Sequence, residues 1–339
     1  MRKITLKIST SPHLVIGLGT DTIMKHVAIA LIPAAGFGVF AFGWNALLVL
    51  ITTTGGAILT EHFLNKWSKK PSTIQDYSAV ITGLLLGMTL PPIFPLWMAF
   101  LGSVISIALG KFIFGGLGNN VFNPALVGRA FLQAAFPVAI TTWYKAFDPE
   151  RFLSLSSSIY AWPLMSPKVD AVSGATPLSA FKFDQISTPA YDLALGICSG
   201  SIGETSTVFL IIGGLYLAWR KMLNWRIPLS IILTVFIFSA SANMINSEAY
   251  PSPFFTIFSG GLMLGAIFMA SDMVASPITS AGVWLYGAII GLLIVVIRLW
   301  GGLPEGVMYA ILLGNAISPH IDNMIRPRVY GTSKKLKAS

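Results

Sequence analysis

The sequence predicts an all-α integral membrane protein with about ten transmembrane helices, arranged as two inverted repeats of five. Three observations predict it: too little charge for a water-facing surface, a succession of apolar spans, and two internally repeated motifs. Of 339 residues, 54% are hydrophobic and 10% charged, whereas a soluble domain carries about 25% charged residues. Lipid must therefore solvate much of the chain. Gly and Pro number 32 and 20, and both are more frequent in membrane helices than in soluble ones. The single Cys198 excludes an internal disulfide and any all-Cys iron–sulfur or zinc site within the chain. No metal site is expected.

The apolar spans run through 24–42, 44–62, 77–91, 94–111 and 120–141, then 206–220, 227–244, 254–271, 281–299 and 304–319. A bilayer core of about 30 Å needs roughly 20 helical residues. The third, fourth, eighth and tenth spans are short, so they are expected to be tilted, broken or buried in protein. The period-two alternation of a membrane barrel is absent. These limits divide the chain into an N-terminal segment (1–23), a first membrane repeat (24–141), a loop (142–205), a second repeat (206–319) and a basic tail (320–339).

Basic residues predict the orientation. With the N-terminus in the cytoplasm, that side receives Arg2, Lys3, Lys7, Lys66, Lys69, Lys70, Lys111, Arg220, Lys221, Arg226, Arg326, Arg328, Lys334, Lys335 and Lys337. The opposite side receives only Lys145, Arg151, Lys168, Lys182 and Arg298. Both termini are then cytoplasmic and the long loop faces outward. Much of the net charge of +9 is a topology signal, and no nucleic-acid partner is needed to explain it.

Gly115-Gly116-Leu117, continuing through Val121, Leu126, Gly128 and Ala130, repeats at identical spacing as Gly301-Gly302-Leu303 through Val307, Leu312, Gly314 and Ala316. Gly83-Leu84-Leu85-Leu86-Gly87 echoes Gly261-Leu262-Met263-Leu264-Gly265. Five spans per repeat is an odd number of crossings, so the halves are opposite in topology. Inverted repeats place ligand sites near the midplane between them.

The long loop carries Asp170-Ala171-Val172-Ser173-Gly174-Ala175-Thr176-Pro177-Leu178. Gly174 can take positive φ and bring the backbone close to a phosphate, successive amides can form an anion-binding concavity, and Pro177 stiffens the exit. On these grounds alone the segment is an accessible Ser/Thr turn. The pattern Asp-Ala-x-Ser-Gly-Ala-Thr-x-Leu, however, resembles the flavinylation sequence of the membrane D subunit of Rnf ion-translocating oxidoreductase complexes. It is similar also to the homologous B subunit of the sodium-translocating NADH:quinone reductase. Ser11-Pro12-His13, the stretch Gly116-x-Gly118-Asn119-Asn120-x-Phe122-Asn123-Pro124-Ala125 and the stretch Gly200-Ser201-Ile202-Gly203-Glu204-Thr205-Ser206 extend the likeness along the chain. The short segment before the first span favours the Rnf subunit.

The resemblance implies FMN joined by a phosphoester to Thr176, installed by a flavin transferase, with Asp170, Ser173, Gly174 and Ala175 forming the recognition pattern. It implies an inner-membrane electron carrier in a complex that couples electron transfer between ferredoxin and NAD(H) to Na+ or H+ translocation. It also implies a urea-transporter-like fold, a flavinylated G-type partner subunit beside membrane A- and E-type subunits, and a second, noncovalent flavin as riboflavin. A urea- or ammonium-like channel without a redox cofactor is the alternative of a different class, because fold does not determine function.

Other residues carry weaker signals. Asn119, Asn120 and Asn123, with Pro124, open the fifth span and suit either a cap and kink or a ligand site. Pro304, Glu305 and Gly306 bring polarity to the corresponding place in the second repeat. Arg129 stands in an apolar register, where a central charge costs about 2.5–3.5 kcal/mol. Asp272 is its expected partner, as a structural ion pair or along an ion path. Glu204, with Thr205 and Ser206, is expected to cap the sixth span, or to belong to a second flavin site or ion path. The four histidines lie near span ends, and neither a dinucleotide fingerprint nor a P-loop is present.

Overall fold

The computed structural model describes residues 19–327 apart from 72, 164, 166–173 and 248. The described residues contain no β-strand. Two long antiparallel helices, α1 (Thr20–Phe42) and α2 (Trp44–Trp67), come first. They reverse at Gly43 alone, whose φ of 73° only glycine takes readily. A Cβ there would sit 1.9 Å from the Arg151 carbonyl oxygen. That contact fastens the long loop to this end of the molecule. Trp44 N donates to Arg151 O at 3.2 Å, and Arg151 Nε donates to Phe40 O at 2.9 Å. We call this the loop end.

Helix α3 (Ser78–Thr89) has 12 residues, about 18 Å of rise, and stops at Leu90-Pro91-Pro92. A helix that stops within a membrane protein must have its free carbonyls satisfied by protein. Here Gly203 N donates to Met88 O at 2.6 Å and Ile202 N to Leu90 O at 3.2 Å. Gly203 is needed for this approach, since a Cβ would lie 3.0 Å from Met88 O. The chain returns through α4 (Leu96–Ile107), which widens into a π-helical turn over Ala108–Phe112. Helix α5 (Pro124–Ala135) starts with Asn123 accepting from Ala125 N at 3.0 Å and with Pro124 at its first position. Pro124 therefore starts this helix without kinking it. Pro137 ends the run, and α6 (Pro137–Ile140) is a single short turn. The expected span 120–141 is thus two pieces.

Two short helices, α7 (Pro177–Asp184) and α8 (Ala190–Leu195), lie in the loop. Then come α9 (Thr207–Trp219) and α10 (Arg226–Ile245). The expected eighth span is broken into α11 (Pro253–Phe258), α12 (Leu262–Leu264) and a second π-helical turn over Gly265–Met269. The last two helices are α13 (Ser280–Trp300) and α14 (Val307–Met324).

Four helices, α1, α2, α10 and α13, are long and apolar enough to cross a membrane. Helices α3, α9 and the continuous α4–π segment are shorter and apolar. Together they make a multi-pass membrane protein, with Ile29, Leu59, Phe63 and Leu215 among the apolar side chains turned outward. Helix α1 packs on α9, α2 on α3 and α4, α10 on α11 and α13, and α14 on α13 and α5. One core runs through both halves, with Leu31, Phe42, Leu86, Phe94, Tyr286 and Ile311 fully buried.

Candidate functional site

At the loop end, Thr176 is the N-cap of α7. Its Oγ1 accepts from Ser179 N at 3.2 Å and lies 2.9 Å from Ser179 Oγ. Pro177 at the first helical position is compatible with this cap because it needs no hydrogen bond there. Lys182, one turn on, fixes the helix to its neighbour. Its Nζ donates to the carbonyls of Arg298, Gly301 and Leu303 at 3.2, 2.5 and 3.1 Å. Burial holds its pKa below the usual lysine value. Phe181 stacks obliquely on Phe255, with ring centroids 5.4 Å apart. Thr176 is thereby held at a defined place despite lying in a loop.

Gly174 N donates to Trp143 O at 3.1 Å. Gly174 is not among the positive-φ glycines, so the left-handed turn expected there is absent. Its small size serves another end, because a Cβ would lie 2.5 Å from Ser199 Oγ. Ala175 is exposed, Gly174 half-buried and Thr176 buried. Asp170 and Ser173 lie outside the described residues, as does the segment around His13.

Thr176 lines a cavity of about 450 Å³ with Arg129, Thr142, Glu204, Glu305 and Tyr309. The cavity falls within the roughly 300–1,000 Å³ typical of small-molecule sites. Arg129 and Glu305 form its charged wall. Arg129 Nη2 lies 3.1 Å from Glu305 Oε2, and Glu305 Oε1 accepts from Gly261 N at 2.8 Å. Arg129 Nη1 is buried and has no partner among the described residues. The expected pairing of Arg129 with Asp272 is therefore wrong: Asp272 belongs to another cluster, and Glu305 from the second half takes its place. Glu204 does not cap α9 with its side chain as expected. Its Oε2 turns back to accept from Ser201 N at 3.2 Å, and Thr205 Oγ1 donates to Ile202 O at 3.1 Å. Nearby, the Cys198 thiol is pushed up to about 12, first by burial and then by Glu204 and Asp192.

A second polar cluster lies toward the other end. Asn120 Nδ2 donates to Asp272 Oδ2 at 3.2 Å and to Phe122 O at 3.2 Å. Asn123 Nδ2 donates to Met269 O at 3.2 Å, at the end of the second π-helical turn. These residues line a cavity of about 100 Å³ with Ser78 and Lys111. Asn119 is exposed and lines neither cavity.

Sequence reasoning misses three buried charges, Lys111, Glu61 and Arg298. It places Lys111 among the surface topology charges, yet Lys111 is buried on the first π-helical turn. Its Nζ lies 2.6 Å from Glu61 Oε1 and 2.5 Å from Ser78 Oγ. Thr73 also donates to Glu61, and Asn65 donates to Thr73 at 2.8 Å. Arg298, likewise placed at the surface by its position, is buried and donates to Thr256 O and Ser259 O at 2.6 and 3.0 Å. The available signal is that each of these charges abuts or enters an apolar run and so requires a partner. Arg220 Nη2 lies 3.1 Å from His26 Nε2, and the Tyr216 hydroxyl lies 2.7 Å from its Nδ1.

The fold and the two clusters define the class: a polytopic helical membrane protein with polar sites assembled between packed, interrupted helices. The chain belongs to the NQR2, RnfD, RnfE family, whose model matches residues 7–331. It is 43% identical over 344 residues to the D subunit of the proton-translocating ferredoxin:NAD(+) oxidoreductase complex of Clostridium ljungdahlii, covering 98% of each chain. It is 40% identical over 338 residues to the D subunit of the Na(+)-translocating ferredoxin:NAD(+) oxidoreductase complex of Acetobacterium woodii, again covering 98% of each. The D subunit of the ion-translocating oxidoreductase complex of Aliivibrio salmonicida is 36% identical over 352 residues, covering 96% of this chain and 99% of the relative. These relatives are subunits of translocases, and the first two differ by name in the ion moved.

Proposed function

We propose that this chain is the D-type membrane subunit of an Rnf-type complex and carries FMN through a phosphoester on Thr176. The observation that carries the reading is the position of Thr176: its hydroxyl is fixed at a helix start on the wall of a 450 Å³ cavity. The Arg129 guanidinium in the same wall suits an electron-rich ligand group. FMN bound there supplies the electron-carrying chemistry, and the protein positions it and sets its surroundings. Thr176 tethers, while Arg129, Glu204 and Glu305 set the charge around the cavity. The complex couples electron transfer between ferredoxin and NAD(H) to Na+ or H+ movement, in line with the names of the relatives.

On this proposal both termini lie in the cytoplasm and the flavin loop lies outside. The helices form two inverted five-segment repeats, in keeping with the matched packing of α2 on α4 and of α10 on α13. The partners are the flavinylated G-type subunit, the A- and E-type membrane subunits, and a flavin transferase. A noncovalent riboflavin is assigned to Asn120, Asn123 and Asp272, whose amides and carboxylate suit the polar edge of a flavin. The 100 Å³ cavity there must widen to admit it.

The test is a denaturing gel viewed under ultraviolet light, together with mass spectrometry of the loop peptide. Wild type coexpressed with its transferase is expected to fluoresce and to carry FMN mass at Thr176, and Thr176→Ala to lose both. Unmodified Thr176 in wild type overturns the reading. Riboflavin released on denaturation from wild type but not from Asn120→Ala supports the second site.

A further inference from the structure

We infer that Arg129 sets the reduction potential of the group bound in the Thr176 cavity, with Glu305 opposing it; this rests on the covalent-flavin reading above. Arg129 is 7% exposed and spends Nη2 on Glu305. Its Nη1 is buried, faces no acceptor among the described residues, and belongs to a side chain lining the cavity shared with Thr176. A buried charged donor without a partner is expensive. The other buried arginine, Arg298, spends both terminal nitrogens on the carbonyls of Thr256 and Ser259 and leaves only Nε without a partner among the described residues. Arg129 instead holds its charge in the wall of the ligand-sized cavity that Thr176 also lines.

The chemical class that this charge fits is a group that gains negative charge. A flavin ring that takes up two electrons and one proton ends with one added negative charge, held on its pyrimidine side. A guanidinium fixed in a site of low dielectric favours that reduced form. Glu305 acts with the opposite sign. It is 22% exposed, it is anchored by Gly261 N, and its charge partly offsets that of Arg129. Glu204 lines the same cavity beside them. Arg129 and Glu305 come from α5 and from the segment preceding α14, so the setting depends on how the two halves of the chain meet.

The experiment is a spectroelectrochemical titration of the full chain, coexpressed with its flavin transferase and purified in detergent. In-gel fluorescence of every variant confirms attachment. Arg129→Gln is expected to lower the midpoint potential, by about 30 mV for each tenfold loss of preference for the reduced form in a two-electron couple. Glu305→Gln is expected to raise it, and Arg129→Lys to stay nearer wild type than Arg129→Gln. A role confined to packing does not produce shifts of opposite sign. An unmoved potential in fluorescent Arg129→Gln, or shifts of the same sign in both neutral variants, overturns the inference and leaves the covalent-flavin reading intact. Should Arg129→Gln fail to fold, Glu305→Gln decides alone, and no upward shift overturns the inference. Absence of fluorescence in wild type overturns both.

Discussion

Two ion pairs among the described residues are built differently. Lys111–Glu61 is closed around its cation. Both side chains are about 5% exposed or less, and the ammonium has the carboxylate and the Ser78 hydroxyl within 2.6 Å. Arg129–Glu305 is open. Its contact is 3.1 Å, its carboxylate is 22% exposed, and both residues line a cavity of about 450 Å³. The first pair lies within the first half, joining α2 to the π-helical turn after α4, where it holds two helices together. The second spans the two halves, joining α5 to the segment before α14, where it lines a ligand-sized space. The difference teaches that a charge pair inside a membrane protein can serve packing or a site. The exposure of the carboxylate, 4% at Glu61 and 22% at Glu305, distinguishes the two.

The largest expected effect is at the closed pair. Lys111→Met leaves Glu61 buried beside an apolar side chain and should cost about 3–5 kcal/mol. Thermal unfolding in detergent measures it, and adding Glu61→Gln should recover part of the loss. Equal stability of Lys111→Met and wild type would break the comparison. At the open pair, Arg129→Met should cost less, about 1.5–3 kcal/mol, because the cavity gives Glu305 partial access to solvent. A loss there exceeding that of Lys111→Met would reverse the assignment of roles. Thr176→Ala comes next. It removes the α7 cap at about 1 kcal/mol, confined to the loop, so hydrogen exchange in 177–184 should rise while the global midpoint holds.

The smallest effect is pH-dependent. The Tyr144 hydroxyl donates to Asp148 Oδ2 at 2.6 Å, and Asp148 Oδ1 accepts from Glu150 N at 3.0 Å. The Tyr144 bond, then the Glu150 amide, hold the Asp148 pKa below its ordinary value of 3.8. A depressed carboxylate contributes stability that is present above the unfolded value and lost as pH falls through the folded one. The 144–152 strap on α1 and α2 should therefore be indifferent to pH near neutrality and loosen only on acidification below 3.8. Limited acid proteolysis of the strap reports this, and Tyr144→Phe should move the onset to higher pH.

The helical class, the membrane environment and the Ser-Gly-Ala-Thr stretch ending at Thr176 were legible from local sequence. Apolar runs mark α1, α2, α10 and α13 to within a few residues of their observed ends. They do so because lipid solvation acts residue by residue and the backbone must bond within each helix. Thr176 stood out through its neighbours in the chain, and Asn123-Pro124 announced the start of a helix by chemistry confined to three residues. Only the tertiary structure decided which charges meet. Arg129 found Glu305, 176 residues away, in place of Asp272. Lys111 turned inward to Glu61, and Gly174 made room for Ser199 without adopting positive φ. Local patterns specify what each segment must bury. The partner that satisfies a buried charge is fixed by helix crossings distant in sequence, and no local pattern encodes it.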